Sequence, residues 1–179
     1  MCLMKSLWIR FGFIKRFVLG LLVLTVSQSV WAMGPWQSWP TVGEATLKWG
    51  PWVIYDSQLR SPSGAYEPGR RSPLALVIKY QRNIDKDDLL EATESQWQKL
   101  GFPASKRQRW VRALSEIWPD VRQGDRLIFV IHSAGGTFYQ DNRVIGEVRD
   151  QEMAKAFLDI WLSPRTEYPA LRKQLIGQA

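Results

Sequence analysis

The chain has 179 residues, a formal net charge of +7, one histidine and one cysteine. One histidine excludes a histidine-rich metal site and one cysteine excludes an internal disulfide, so we expect neither a bound metal nor a disulfide-stabilised core. The sequence also contains no phosphate loop and no Gly-x-Gly-x-x-Gly after a strand, so no nucleotide or other cofactor is expected.

The first 32 residues have the pattern of a cleavable secretion signal. The basic residues of this segment, which has no acidic one, are Lys5, Arg10, Lys15 and Arg16. An apolar run over residues 17–26 follows, and small or tolerated residues precede a cleavage site after Ala32. A membrane anchor is the alternative, but a spanning helix needs about twenty apolar residues and this run has about half of that. We therefore expect a signal peptide over residues 1–32, one domain over 33–179, a periplasmic location and no stable membrane span after cleavage.

Cleavage would remove the only cysteine and lower the net charge from +7 to +3 in the remaining 147 residues. A charge this modest, without aromatics interleaved in a basic groove motif, gives no support for nucleic-acid binding. Eight tryptophans would remain, and we expect them in the core because each can bury a large area. They are Trp36, Trp39, Trp49, Trp52, Trp97, Trp110, Trp118 and Trp161.

The first half of the mature chain predicts three strands. Residues 46–49 and 53–59 form a hairpin around the turn signal Gly50-Pro51, and residues 74–80 form the third strand. Between them, residues 61–73 are rich in proline and glycine and read as an exposed loop.

Two helices are predicted next. Asp85 is a suitable N-cap for a helix whose apolar residues recur at helical spacing up to Gly101. Ser105 and Gln108 make a capping box for a second helix, which Pro119 would end.

Strands return at residues 126–132, 137–140 and 144–148, which predicts an antiparallel meander. Asp150 then caps a third helix and Pro169 opens a short fourth one. Strands followed by helices, twice over, indicate an α+β fold.

Two polar clusters have structural interpretations that we favour. His132-Ser133 with Asp125 could form a hydrolase triad, but no nucleophile-elbow pattern surrounds Ser133. A basic cluster could bind phosphate or an anionic membrane, but it occupies the non-apolar positions of the second helix and so indicates a solvated face. Its members are Lys106, Arg107, Arg109 and Arg112.

Three segments together point to a family. Residues 42–49 lead into 53–59, residues 74–80 run into 82–84, and residues 156–166 precede 171–175. In this order the segments resemble the exported bacterial branch of the chalcone isomerase-like family, over nearly all of residues 42–177. Their most specific part is Ile160-Trp161-Leu162-x-Pro164-x-Thr166.

The resemblance implies a curved antiparallel β-sheet with a layer of helices on one face and a small-molecule cleft between them. Plant members close a chalcone to a flavanone without a cofactor, orienting the substrate with an arginine, a threonine and a tyrosine, and other branches bind fatty acids. Alignment with the family puts Thr46 where many bacterial members have arginine, leaves Lys48 as the nearest cation, and puts Tyr55 near the plant threonine. No catalytic residue is assigned.

Such a cleft needs a cation or a few donors to hold a phenolate or carboxylate, and apolar walls for the rest of the ligand. The candidate ligand-binding residues are Thr46, Lys48, Tyr55, Lys79 and Tyr80. Strand alternation places Thr46 and Lys48 on one face of their strand, and Tyr55 and Ser57 on one face of theirs, so a shared polar mouth is expected. The alternative is that both tyrosines are core rings and both lysines are solvated.

Three functions remain open. The first is binding of a small amphipathic molecule, either a fatty acid or a phenolic compound. The second is a cofactor-free intramolecular isomerase of chalcone-like or conjugated carbonyl compounds. The third is a non-enzymatic envelope protein that binds a partner through the loop at residues 61–73.

Overall fold

The computed structural model of the chain describes residues 34–69 and 73–178. The predicted signal peptide and its cleavage after Ala32 lie outside the described residues, as do residues 70–72 of the predicted loop.

Six strands form one antiparallel sheet in which each strand pairs with the next along the chain. They are β1 (Thr41–Trp49), β2 (Trp52–Arg60), β3 (Leu74–Tyr80), β4 (Arg126–His132), β5 (Gly135–Gln140) and β6 (Arg143–Val148). Register shifts interrupt the β1–β2 and β5–β6 pairs, and such bulges bend a sheet. The meander predicted for the last three strands is confirmed and extends through the whole sheet.

Within the described residues, four helices pack on one face of this sheet. They are α1 (Lys86–Lys99), α2 (Ala104–Ser115), α3 (Gln151–Leu162) and α4 (Pro169–Leu175). The predicted fold class, an α+β fold with a helical layer on one face of a curved antiparallel sheet, is confirmed.

The central strands β3 and β4 are buried on both faces. Alternation along β3 turns Leu76, Ile78 and Tyr80 toward the helices, where they join the main core. Its other side chains, Ala75 and Val77, belong to a smaller core on the opposite face. Trp36 and Trp39, near the start of the described chain, cover that core. Trp36 lies in a 3-10 helix at Pro35–Ser38. Burial on two faces explains why β3 and β4 read as continuous apolar runs.

The predicted limits of the second helix are wrong at both ends. Pro103, in an extended conformation, occupies the N-cap of α2, so Ser105 lies within the first turn and the capping box does not form. The Lys106 and Arg107 amides instead bond to the Pro103 carbonyl. At the other end, α2 stops at Ser115, four residues before Pro119, and the Ile117 and Trp118 amides both bond to the Leu114 carbonyl in the turn that follows.

The composition led us to expect all eight tryptophans in the core, but two of them are exposed. Trp36, Trp97, Trp110, Trp118 and Trp161 are buried, and Trp39 is partly buried. Trp49 and Trp52, however, are 73% and 51% exposed. They flank the Gly50-Pro51 turn at the end of the β1–β2 hairpin, where the two rings contact each other and the Arg82 guanidinium lies over the Trp52 ring.

Candidate functional site

A cavity of about 170 Å³ lies between the helix-facing side of the sheet and α1. Its apolar walls include Ile54, Ile78, Leu89, Leu127, Phe157 and Ile160. The lining residues Leu47, Ile54 and Ile84 are partly exposed and Asp88 is exposed. Of the other lining residues, Ala92 is exposed and Gln96 and Tyr168 are partly exposed. The cavity therefore opens along α1, and one end of its mouth lies between the β1–β2 hairpin and the first turns of this helix.

Two tyrosines bring hydroxyl groups to this cavity. Tyr55 on β2 pairs in register with Tyr80 on β3, and their ring centroids are 6.1 Å apart. The Trp161 indole donates a buried hydrogen bond of 2.8 Å to the Tyr55 hydroxyl. Within the described part of the chain the Tyr80 hydroxyl forms no hydrogen bond, so it is free to bind a ligand.

Both hydroxyls are neutral donors. Burial raises the pKa of Tyr55, although the hydrogen bond from Trp161 opposes the shift. Burial also raises the pKa of Tyr80, and the neighbouring Tyr55 adds to the shift. The arrangement suits hydrogen bonding to a carbonyl or hydroxyl oxygen of a ligand, whereas a phenolate base is strongly disfavoured.

The cavity has little charge. Among the described residues that line it there is no lysine, arginine or histidine, and the one charged side chain, Asp88, is at the mouth. An unpaired carboxylate buried among these walls would cost several kcal/mol or would take up a proton. A charged head group is therefore better placed at the mouth, in contact with water, than inside.

Its volume limits what fits without movement. A dry protein cavity of about 150 Å³ holds one benzene ring, and pockets for larger ligands usually span about 300–1,000 Å³. At about 170 Å³, this cavity accommodates one ring or a short acyl segment. A longer chain requires α1 or the hairpin to move.

The structure places the five predicted site residues on two faces of the sheet. Tyr55 and Tyr80 come together at the cavity. Thr46, Lys48 and Lys79 lie on the opposite face, where the Thr46 hydroxyl donates to Asp56 over 2.6 Å.

The expected mouth shared by Thr46, Lys48 and Tyr55 is therefore not formed. In the β1–β2 register, Tyr55 is opposite Leu47 and Thr46 is opposite Asp56. Paired residues point to the same face, so an offset of one residue puts Thr46 on the other side from Tyr55. Ser57 does share the face of Tyr55, as expected, and donates a buried bond to the Ala45 carbonyl.

Sequence reasoning did not identify three further residues of the cavity. Thr93 is buried on α1, and its hydroxyl forms no hydrogen bond within the described residues. Trp118 has a buried indole nitrogen with no partner among the described residues. Trp161 orients Tyr55 through its hydrogen bond, and its position in the Ile160-Trp161-Leu162 segment was the available signal.

His132 and Ser133 lie at the other end of the sheet, beside a cavity of about 390 Å³. The His132 ring accepts from the Ala134 amide, and Asp125 bonds to the Arg122 amide at the opposite end of β4. Seven residues of strand separate the histidine from Asp125, or about 23 Å. A triad is therefore not assembled, which agrees with the structural interpretation.

Within residues 34–69 and 73–178, no helix is long and apolar enough to cross a membrane, and no group of three or more His, Cys, Asp or Glu residues is placed to hold a metal ion.

Comparison with known proteins gives three results. A family model described as chalcone isomerase-like matches residues 61–177. An uncharacterized protein of Haemophilus influenzae is 28% identical over 144 residues, which is 80% of this chain and 71% of that protein. The crystal structure of a fatty-acid binding protein of Arabidopsis thaliana matches with a TM-score of 0.59 at 9% identity, over 81% of this chain and 89% of that one. At that identity the similarity establishes the fold alone.

Proposed function

The chain belongs to the chalcone isomerase-like family, and from this premise we propose that it is an exported bacterial member that binds a small amphipathic ligand of the fatty-acid type. The observation that carries the proposal is the cavity with apolar walls and two tyrosine hydroxyls between the sheet and α1. The fatty-acid binding protein of the same fold adds support for this class of ligand.

We infer how the ligand is oriented from the distribution of charge. The apolar part enters the cavity, where burial of about 25 cal/mol per Å² favours it. A neutral oxygen can accept from Tyr80, whereas an ionised carboxylate stays at the mouth near Leu47, Ile54 and Ile84. The size of the cavity favours a short acyl chain or a single aromatic ring over a long chain.

Export is supported by the sequence pattern of residues 1–32. We propose that this segment is removed after Ala32 and that residues 33–179 function in the periplasm. The mature chain would then meet amphipathic molecules of the cell envelope.

Native mass spectrometry of the protein purified from the periplasm tests both parts. We expect one equivalent of a lipid or phenolic compound, recoverable by organic extraction, on a chain that begins at Met33. An empty protein that also has no affinity in solution for fatty acids or simple phenols would refute the binding proposal.

A matched pair of variants locates the ligand. Tyr80→Phe removes the free hydroxyl, and we expect the ligand Kd to rise about fivefold, which corresponds to about 1 kcal/mol. Tyr139→Phe is the control, since Tyr139 is also buried but belongs to the small core on the opposite face. Equal effects of the two substitutions on Kd, measured by calorimetry, would place the ligand elsewhere.

A further inference from the structure

Two tryptophans are exposed at the tip of the β1–β2 hairpin. Trp49 and Trp52 face each other in the strand register, with ring centroids 5.9 Å apart. They are 73% and 51% exposed, and the Arg82 guanidinium lies 5.6 Å from the Trp52 ring centroid. A cluster of large apolar side chains that are exposed on a folded protein commonly marks a binding surface for another molecule.

The pair stands beside the mouth of the cavity. Leu47, two residues before Trp49, points to the same face of β1 and lines the cavity. Ile54, two residues after Trp52, lines it from β2 at the bulge between the Leu47 and Lys48 pairings. The apolar surface therefore continues from the cavity wall through its mouth to the hairpin tip.

The size of this surface argues against a stable protein partner. With side chains that each bury at most about 250 Å², the two tryptophans at their observed exposure present roughly 300 Å². A stable protein interface needs about 800 Å² from each partner. A projecting tip of this size is better suited to the interface of a lipid bilayer, where tryptophan is favoured and no complementary surface is required.

The charges near the tip have both signs. Lys48 and Arg82 are exposed next to the two tryptophans, and cations at this position attract anionic head groups. Asp88 at the mouth, with Asp85 and Asp87 exposed beside it at the start of α1, has the opposite sign. We therefore expect the tryptophans, more than the charges, to supply the binding.

We propose that the Trp49–Trp52 tip docks on an anionic lipid bilayer and holds the cavity mouth against it, so that an amphipathic ligand can pass between bilayer and cavity. The passage of ligand rests on the function proposed above, whereas docking does not depend on it.

Flotation with vesicles of phosphatidylglycerol and phosphatidylethanolamine tests the docking. The protein is used as cells process it, and each variant carries the same N-terminus, which its mass confirms. We expect the wild type to float with the vesicles and the variant Trp49→Ala/Trp52→Ala to bind about tenfold more weakly or worse. Val144→Ala is the matched control, because Val144 is 53% exposed on β6, away from the tip; it should bind like the wild type.

Three outcomes would overturn docking. One is a wild type that stays with the soluble fraction, and another is a double variant, folded by circular dichroism, that floats as well as the wild type. The third is a concentration-dependent dimer that the double variant loses while vesicle binding is absent throughout. Ligand affinity measured without vesicles separates the two proposals, and the double variant should keep this affinity. A protein that floats with the vesicles but binds no ligand would refute only the proposed function and the passage of ligand.

Discussion

Tyr55 and Tyr80 lie side by side on β2 and β3, yet their hydroxyls are in different situations. The Tyr55 hydroxyl accepts the indole hydrogen of Trp161, which is itself buried on α3. The Tyr80 hydroxyl has no such partner among the described residues. Tyr55 therefore joins the sheet to the helical layer, and Tyr80 provides a donor to the cavity.

This difference predicts that replacing tyrosine by phenylalanine affects stability at one position and hardly at the other. Tyr55→Phe leaves the buried Trp161 indole nitrogen without an acceptor, and we expect the free energy of unfolding to fall by about 1–3 kcal/mol. Tyr80→Phe breaks no hydrogen bond, so the change should stay within about 0.5 kcal/mol. Urea unfolding followed by circular dichroism measures both. Equal losses in the two variants would contradict the hydrogen-bond assignment.

Among the helices, the carboxylate of Asp150 caps α3 and also links α2 to it by a hydrogen bond. Asp150 Oδ1 accepts from the Met153 amide over 3.0 Å, as the predicted N-cap requires, and Oδ2 accepts from the Trp110 indole over 3.1 Å. Burial opposes ionisation of this group. The hydrogen bonds from Met153, Trp110 and the Glu152 amide, with the charge of Arg109, outweigh it and lower the pKa of Asp150.

Replacing Asp150 should weaken the junction of the two helices. Asp150→Asn keeps a capping oxygen but loses the second acceptor and the charge, and we expect a loss of about 1 kcal/mol near neutral pH. Because folding lowers this pKa, the contribution is present above the unfolded value and disappears as pH falls through the folded one. The difference from the wild type in urea unfolding should therefore shrink as pH falls from about 5 through the ordinary aspartate value of 3.8 and below it. A difference that stays constant over this range would exclude a role for the ionised form.

At the scale of the whole molecule, burial between the sheet and its covering layers raises the pKa of every tyrosine in the chain. The five are Tyr55, Tyr66, Tyr80, Tyr139 and Tyr168. Tyr55 and Tyr80 have the largest shifts, because the sheet and the helices enclose both.

Stability should therefore fall in alkali. Below about pH 10 both states keep the protons of Tyr55 and Tyr80, and above it the unfolded chain releases them while the folded protein keeps them. Tyr55 and Tyr80 alone should reduce the free energy of unfolding by about 2.7 kcal/mol per pH unit, or about 1.4 kcal/mol each. Compared with the wild type, the variant Tyr80→Phe should lose about half of this slope. Reversible ionisation of all five tyrosines near pH 10 in the folded protein, seen by ultraviolet absorbance, would contradict the prediction.

Local patterns in the chain were enough to predict the order and type of the elements, because each element depends on residues close together in the sequence. The limits of β3 and β4 agree with the predicted strands 74–80 and 126–132, since turn residues bound both apolar runs. The N-cap of α3 at Asp150 was also predicted, because capping involves residues three positions apart. The boundaries of α2 were not, because Pro103 and Ser105 are both compatible with a helix start.

Which polar residues share a site depends on how the strands and helices pack together. Within β1, alternation placed Thr46 and Lys48 on one face correctly, but the turn and the bulge at Ile54 set the pairing with Tyr55. Exposure of Trp49 and Trp52 depends in the same way on where the covering helices end. Strand register and layer coverage are relations between distant segments, so local periodicity carries no information about them, and the cavity with its mouth exists only once the sheet and α1 are packed together.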